Sequence, residues 1–230
     1  MSILKLHLLS LTPSKKRGDT MCCKYFISSD PEIRQYVDAA KHNPLTSKMI
    51  DVLGKPLVTR GGVVPSSIAP VIALTKARRS DVFPMVWGFD IKGIDHPIIN
   101  ARTETASEKK SFQQSWKNCR CVIPASYYYE WGQAQPQDNR KIRYVIQPKG
   151  VTITFLAALY RFQKYGDLKY PVFTILTKEP SDSLRQIHDR MPVVLPESVV
   201  SSWINPDRSP EEIVEYALTE FVAERETARV

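Results

Sequence analysis

A chain of 230 residues, 43% hydrophobic and 24% charged, is large enough for one substantial core, and no Pro-, Gly- or Ser-rich linker divides it. Its formal charge of +8 points to an anionic partner, nucleic acid foremost, although a moderately basic surface also serves solubility alone. Four cysteines do not make a disulfide scaffold, and no apolar run approaches the length of a membrane span, which excludes the secreted mini-protein and membrane classes.

In chain order, residues 1–20 hold a faintly apolar stretch interrupted by Lys5 and His7, with Lys15, Lys16 and Arg17 after it, the reverse of a secretory signal. They read as a leader or disordered arm absent from the mature protein. Their loss would remove four basic residues and one acidic, lowering the charge from +8 to +5. Residues 21–230 are then a single domain. "CCKYFIS" predicts a first strand. "DPEIRQYVDAA" predicts a helix capped by Asp30, with Ile33, Tyr36, Val37 and Ala40 on its apolar face, and "HNPLTS" breaks it. Residues 52–100 alternate short apolar runs with Pro and Gly, the pattern of short strands and turns. "CRCVIPASYYYEW" predicts β-structure that bends at its proline or runs along a sheet edge. "IRYVIQP", "VTITFLAALY" and "YPVFTILTK" predict three more strands. "SDSLRQIHDR" predicts a short helix, and "SPEEIVEYALTEFVAERE" an amphipathic one with Ile213, Tyr216, Ala217 and Phe221 on one face. The sum is an α+β domain, mainly antiparallel, with helices at its periphery.

Four places carry chemistry. In "DTMCCKYF", a chain that starts at Met21, or loses what precedes Cys22, presents Cys22 with a thiol and a free α-amine on one carbon skeleton. The polar character of "LTPSKKRGDT" favours Met21 as the start. In "NARTET", an extended backbone points Asn100 and Arg102 to the same face, an amide beside a guanidinium fork matched to phosphate. In "YYYEW", Glu130 lies among aromatic rings, where lost hydration raises a carboxylate's pKa and suits it to general acid–base work. In "IHDRMP", His188 is a proton shuttle candidate beside Asp189 and Arg190. Each alone has a plain structural reading: a turn asparagine, an edge-strand glutamate, a satisfied histidine. The spacing of Cys22, Cys23, Cys119 and Cys121 fits zinc ligation poorly, so no metal and no cofactor are expected.

Taken together, "MCCKY", "WGF", "NARTET", "CVIPASYYYEW", "FTILT" and "IHDRMP" occur in the order and rough spacing of one family. The chain resembles the SOS-response-associated peptidase family, whose members shield abasic sites in single-stranded DNA. The similarity spans residues 21 to about 204. The resemblance implies strongly coiled β-sheets and a catalytic set of Cys22, Asn100, Glu130 and His188. It further implies a DNA-binding set of Lys24, Arg102, Trp87 and Arg190. It also implies single-stranded DNA carrying abasic sites as the partner; a monomer is expected because no sequence feature argues against one, and the few cysteines suit reduced thiols in the cytoplasm, with the nucleoid as the place of action on damage. Where the family commonly has Gly-Arg after the nucleophile, this chain has Cys23-Lys24, which keeps the charge and loses the bidentate fork. The implied chemistry is a thiazolidine between Cys22 and the abasic aldehyde, with self-cleavage ahead of Cys22 as a second activity. Two rivals are a cysteine peptidase acting in trans through Cys22 and His188, and a non-covalent binder of damaged or modified DNA.

Overall fold

The computed structural model describes residues 24–134 and 141–226. In chain order these form β1 (Lys24–Ile27), α1 (Pro31–His42), α2 (Pro44–Leu53), β2 (Gly61–Val63), β3 (Ile68–Leu74), β4 (Ser80–Trp87) and β5 (Asn100–Arg102). There follow α3 (Thr103–Ala106), α4 (Gln113–Asn118), β6 (Arg120–Ala125), β7 (Tyr127–Ala134), β8 (Lys141–Pro148), β9 (Thr154–Tyr165) and β10 (Leu168–Lys178). The described chain ends with β11 (Met191–Pro192), β12 (Val194–Leu195), α5 (Glu197–Ile204), α6 (Pro210–Val214) and β13 (Phe221–Arg225). The α+β, mainly antiparallel architecture read from the sequence holds.

Two sheets organise the molecule. The smaller has the order β13-β8-β7-β1-β2 and is antiparallel throughout. In the larger, β10 pairs with both β4 and β9, so β10-β4-β3-β6-β9 closes on itself as a barrel, with β5, β11 and β12 attached to its strands. A barrel this small must be filled by side chains. Small Ala69, Ala73, Ala125 and Ala158 leave room for Trp87 and Phe173, which stack at 6.0 Å between centroids and 9° between planes. Tyr25, Tyr128 and Ile146 of the smaller sheet join this same core. A second core lies beneath the helices, where Ile72, Val122, Leu159 and Leu176 meet Met49, Trp116 and Trp203.

Local chemistry explains the elements. Asp30 caps α1 by accepting from the Glu32 amide at 2.9 Å. Asn43 ends α1 and also caps α2, its side chain accepting from the Leu45 amide, so "HNPLTS" breaks one helix and starts another. The "CRCVIPASYYYEW" segment bends at Ser126, where the chain leaves the barrel for the smaller sheet; β6 itself lies between β3 and β9 and is no edge. Two expectations are corrected. "SDSLRQIHDR" folds as consecutive turns rather than a helix. In the C-terminal segment α6 stops at Val214, Tyr216 is 64% exposed, and Phe221–Arg225 pairs as β13 with β8. Backbone pairing along the edge of β8 and burial of Phe221 in the core outweigh the helical periodicity.

The helical layer is tied to the barrel by one buried cation. Arg120, 2% exposed, donates from Nε to the Trp203 carbonyl (2.6 Å), from Nη1 to Trp116 and Lys117 (both 2.9 Å), and from Nη2 to Asn205 and Arg208. Trp116, Lys117 and Trp203 lie in the last turns of α4 and α5, whose carbonyls have no intrahelical donor. Arg120→Met leaves these acceptors unpaired, at about 1–3 kcal/mol for each that stays buried. Urea denaturation is expected to show a loss of about 3 kcal/mol or more; a loss below about 1 kcal/mol contradicts this role.

Candidate active site

β7 carries the candidate carboxylate. Strand alternation turns Glu130 to the inner face with core residue Tyr128, and Tyr129 and Trp131 to the outer face. Glu130 is 3% exposed, and its Oε1 accepts the Trp131 amide at 3.1 Å. His188, in the turn segment between β10 and β11, places Nε2 4.0 Å from that same oxygen. The two motif segments, distant in sequence and on different sheets, therefore converge.

The imidazole is held by its other nitrogen. In the tautomer that leaves Nδ1 bare, Nδ1 accepts the Arg190 amide at 3.1 Å and the proton sits on Nε2, toward Glu130. The Asp189 carboxylate lies 2.8 Å from the same Nδ1, which donates to it in the Nδ1–H tautomer or when both nitrogens carry protons, so amide and carboxylate compete for that nitrogen.

β5 is the "NAR" segment itself. Asn100 is half-buried, Ala101 buried and Arg102 exposed, so Asn100 and Arg102 share a face as the alternation predicts. β5 runs parallel to β10, with Asn100 opposite Ile175 and Arg102 opposite Thr177; on β10's other edge Thr177 faces Pro192. That register brings "NAR" and "HDRMP" to the same end of β10. Among the described residues Arg102 makes no ion pair.

Lys24 begins β1 opposite Tyr129 and holds its ammonium 4.8 Å above that ring. Gly62 makes room for it, since a Cβ there would come within 2.4 Å of Lys24 Cε. Arg143 lies 5.0 Å from the Tyr129 ring and 5.5 Å from Trp131, and Trp131 is 41% exposed. This aromatic and cationic row on the outer face lies one residue from Glu130.

Two residues expected to contact DNA are engaged within the protein. Trp87 is fully buried, with its indole N–H donating to the Ile99 carbonyl at 3.0 Å, and offers no face to a base. Arg190 is engaged within the protein: it grips both carboxylate oxygens of Glu104 at 2.6 and 2.8 Å and donates to the Thr177 carbonyl at 2.8 Å. Hydrogen bonding to Arg190 holds the Glu104 carboxyl below its usual range, against partial desolvation. Glu104 is a site residue that the sequence did not single out. Cys22, together with residues 1–20, Met21 and Cys23, lies outside the described residues.

A family model described as SOS response associated peptidase (SRAP) matches residues 21–230. The chain is 36% identical over 141 residues to the abasic site processing protein YoqW of Bacillus subtilis, covering 60% of this chain and 61% of that one. It is 31% identical over 137 residues to the abasic site processing protein YedK of Escherichia coli, covering 58% and 60%. Similarity to the abasic site processing protein HMCES of Rattus norvegicus is 26% over 159 residues, 54% of this chain and 45% of that one. The chain thus spans about three fifths or less of the length of these relatives. Among solved structures, a protein from Bacteroides thetaiotaomicron superposes with a TM-score of 0.69 at 22% identity, covering 90% of this chain and 93% of that one. A phage-related protein from Bordetella bronchiseptica gives 0.66 at 22% identity, covering 89% and 94%.

Among the described residues no group of three or more His, Cys, Asp or Glu is placed to hold a metal ion, and no helix is long and apolar enough to cross a membrane. The two described cysteines are free thiols, Cys119 half-buried and Cys121 fully buried. Burial pushes both thiols up, so at neutral pH neither supplies much thiolate. Alkylation of the folded protein at pH 7 followed by peptide mass spectrometry is expected to spare Cys119 and Cys121. Both become labelled in denaturant, and labelling of Cys119 increases as pH rises. Fast labelling of either in the folded protein at pH 7 contradicts this.

Proposed function

The chain belongs to the SOS response associated peptidase family, and from that premise we propose that it recognises abasic sites in single-stranded DNA and links to them covalently through Cys22 as the mature N-terminus. The observation that carries the reading is the pairing of a buried Glu130 with His188, Nε2 to Oε1 4.0 Å. Lys24, two positions after Cys22 in the sequence, lies opposite Tyr129, the neighbour of Glu130. The names of YoqW, YedK and HMCES as abasic site processing proteins support the substrate class.

An abasic deoxyribose opens to an aldehyde at C1′. An N-terminal α-amine has a reference pKa of about 7.7–8.0, against about 10.4 for lysine, so it is the better neutral nucleophile near pH 7. The amine of Cys22 adds to C1′, and the carbinolamine takes up a proton, expels water and releases a proton from nitrogen to give an imine. The thiolate then forms a C–S bond at the same carbon while the nitrogen takes a proton, closing a five-membered thiazolidine. One water is lost overall. The second bond is intramolecular, and only a cysteine places amine and sulfur two carbons apart. Glu130 relays protons during addition and dehydration, and His188 handles those of ring closure and opening. Asn100 orients the reacting residue and Arg102 meets the phosphate next to the lesion. Lys24, Trp131 and the rings around them give flanking bases a stacking and charge surface. Single strands are the substrate because a continuous duplex stack keeps C1′ from a recessed pair. Where residues precede Cys22, cleavage after Met21 at the same pair exposes the amine.

Intact mass spectrometry of the protein beginning at Cys22, after incubation with a single strand carrying one abasic site, is expected to show a denaturant-resistant adduct of the summed masses less one water. Cys22→Ala is expected to bind the strand and form no adduct. Glu130→Gln slows adduct formation by about 10²–10⁴-fold without weakening binding. Absence of an adduct from a protein with a free Cys22 overturns the covalent reading in favour of a non-covalent binder. Peptide turnover in trans at an unchanged rate with a blocked N-terminus indicates a peptidase instead.

A further inference from the structure

The distance of 4.0 Å between His188 Nε2 and Glu130 Oε1 exceeds a direct hydrogen bond but lets one reacting group reach both from the side, so the placement of the ring matters on the sub-ångström scale. Yet the segment that bears His188 is neither strand nor helix. Between the end of β10 at Lys178 and the start of β11 at Met191 the backbone forms local turns, such as His188 N–H to the Leu184 carbonyl at 3.2 Å. Local turns alone do not define a ring position against another sheet.

What ties this segment down is Arg190. Its guanidinium grips Glu104 with Nη1 on Oε1 at 2.6 Å and Nη2 on Oε2 at 2.8 Å, while Nη2 also reaches the Thr177 carbonyl of β10. The Arg190 side chain is only 10% exposed, so the fork is fixed in a fitted place rather than waving in solvent. Its own backbone N–H holds His188 Nδ1. Glu104 stands two residues beyond Arg102, in α3 directly after β5. A bidentate carboxylate–guanidinium pair specifies direction as well as distance.

We propose that Glu104 is a positioning residue for the crosslinking reaction: through Arg190 it sets the place of His188 relative to Glu130. The proposal rests on the crosslinking reading above. Glu104 touches no reacting atom. It locks the "NARTET" segment, which supplies Asn100 and Arg102, to the "HDRMP" segment, which supplies His188, so the two halves of the site move as one body. Arg190 is thereby a strut of the site, and Glu104 acts on rate rather than affinity.

The test uses the protein beginning at Cys22, with Glu104→Ala, Glu104→Gln and the swapped pair Glu104→Arg/Arg190→Glu. Single-turnover adduct formation with an abasic single strand is expected to slow roughly 10- to 100-fold in Glu104→Ala, as for a misplaced catalytic group. Affinity for an undamaged strand stays unchanged, and the swapped pair recovers most of the rate. Imidazole ¹⁵N resonances, assigned by loss in His188→Gln, are expected to shift in Glu104→Ala and to return toward their parental positions in the swapped pair. Adduct formation at the parental rate in Glu104→Ala, or unchanged His188 resonances, overturns the proposal. So does a rise in affinity for undamaged DNA, which identifies Glu104 as a competitor that shields Arg190 from phosphate. If the parent itself forms no adduct, the crosslinking reading fails, and the His188 resonances alone decide whether Glu104 positions the ring.

Discussion

β10 is hydrogen-bonded along both edges, and the rest of the molecule is arranged by that fact. Along one edge it pairs antiparallel with β9 and then β11; along the other it pairs parallel with β4 and then β5. Closing the barrel fixes the first half of the strand. The second half then has no freedom in where it sets "NAR" and the residues after His188, because Thr177 is opposite Arg102 on one side and Pro192 on the other. A one-residue slip in this register would turn every side chain of β5 to the opposite face and part Asn100 from the site.

The smaller sheet meets that end of β10 with the opposite chemistry. β7 turns an ionisable residue inward among core aromatics, where a lone carboxylate is costly to bury. Glu130 is accommodated by the Trp131 amide and by the neighbouring imidazole. The same strand turns Tyr129 and Trp131 outward beneath Lys24 and Arg143. Period-2 alternation thus divides one short motif into a proton-handling face and a cation–aromatic face.

Much of this was legible in the sequence, and the reasons are local. Asp30 followed by Pro31 marks a helix start through capping, and three-residue "NAR" needs only an extended backbone to align Asn100 with Arg102. The resemblance of six short motifs pointed to Glu130 and His188. What the sequence hid depends on contacts between distant residues. The fork between Arg190 and Glu104 joins positions 86 apart, so an arginine that looks free for DNA is already engaged. Trp87 looks like a stacking residue until barrel closure puts Phe173 against it. Phe221–Arg225 carries a helical pattern, yet the exposed edge of β8 recruits it as a strand. α2 was within reach, since Asn43-Pro44 is a cap followed by a first-turn proline.

The central claim is a covalent bond from Cys22 to the abasic sugar, formed at the seam that Glu130 and His188 occupy. The most direct measurement is a ¹³C spectrum of a single strand labelled at the abasic C1′, recorded with the protein beginning at Cys22. The account predicts that the labelled carbon leaves the hemiacetal and aldehyde region for that of a carbon bonded to both nitrogen and sulfur, and couples to ¹⁵N placed in the Cys22 amine. A C1′ resonance that stays where it is in the free strand, with the DNA demonstrably bound, contradicts it.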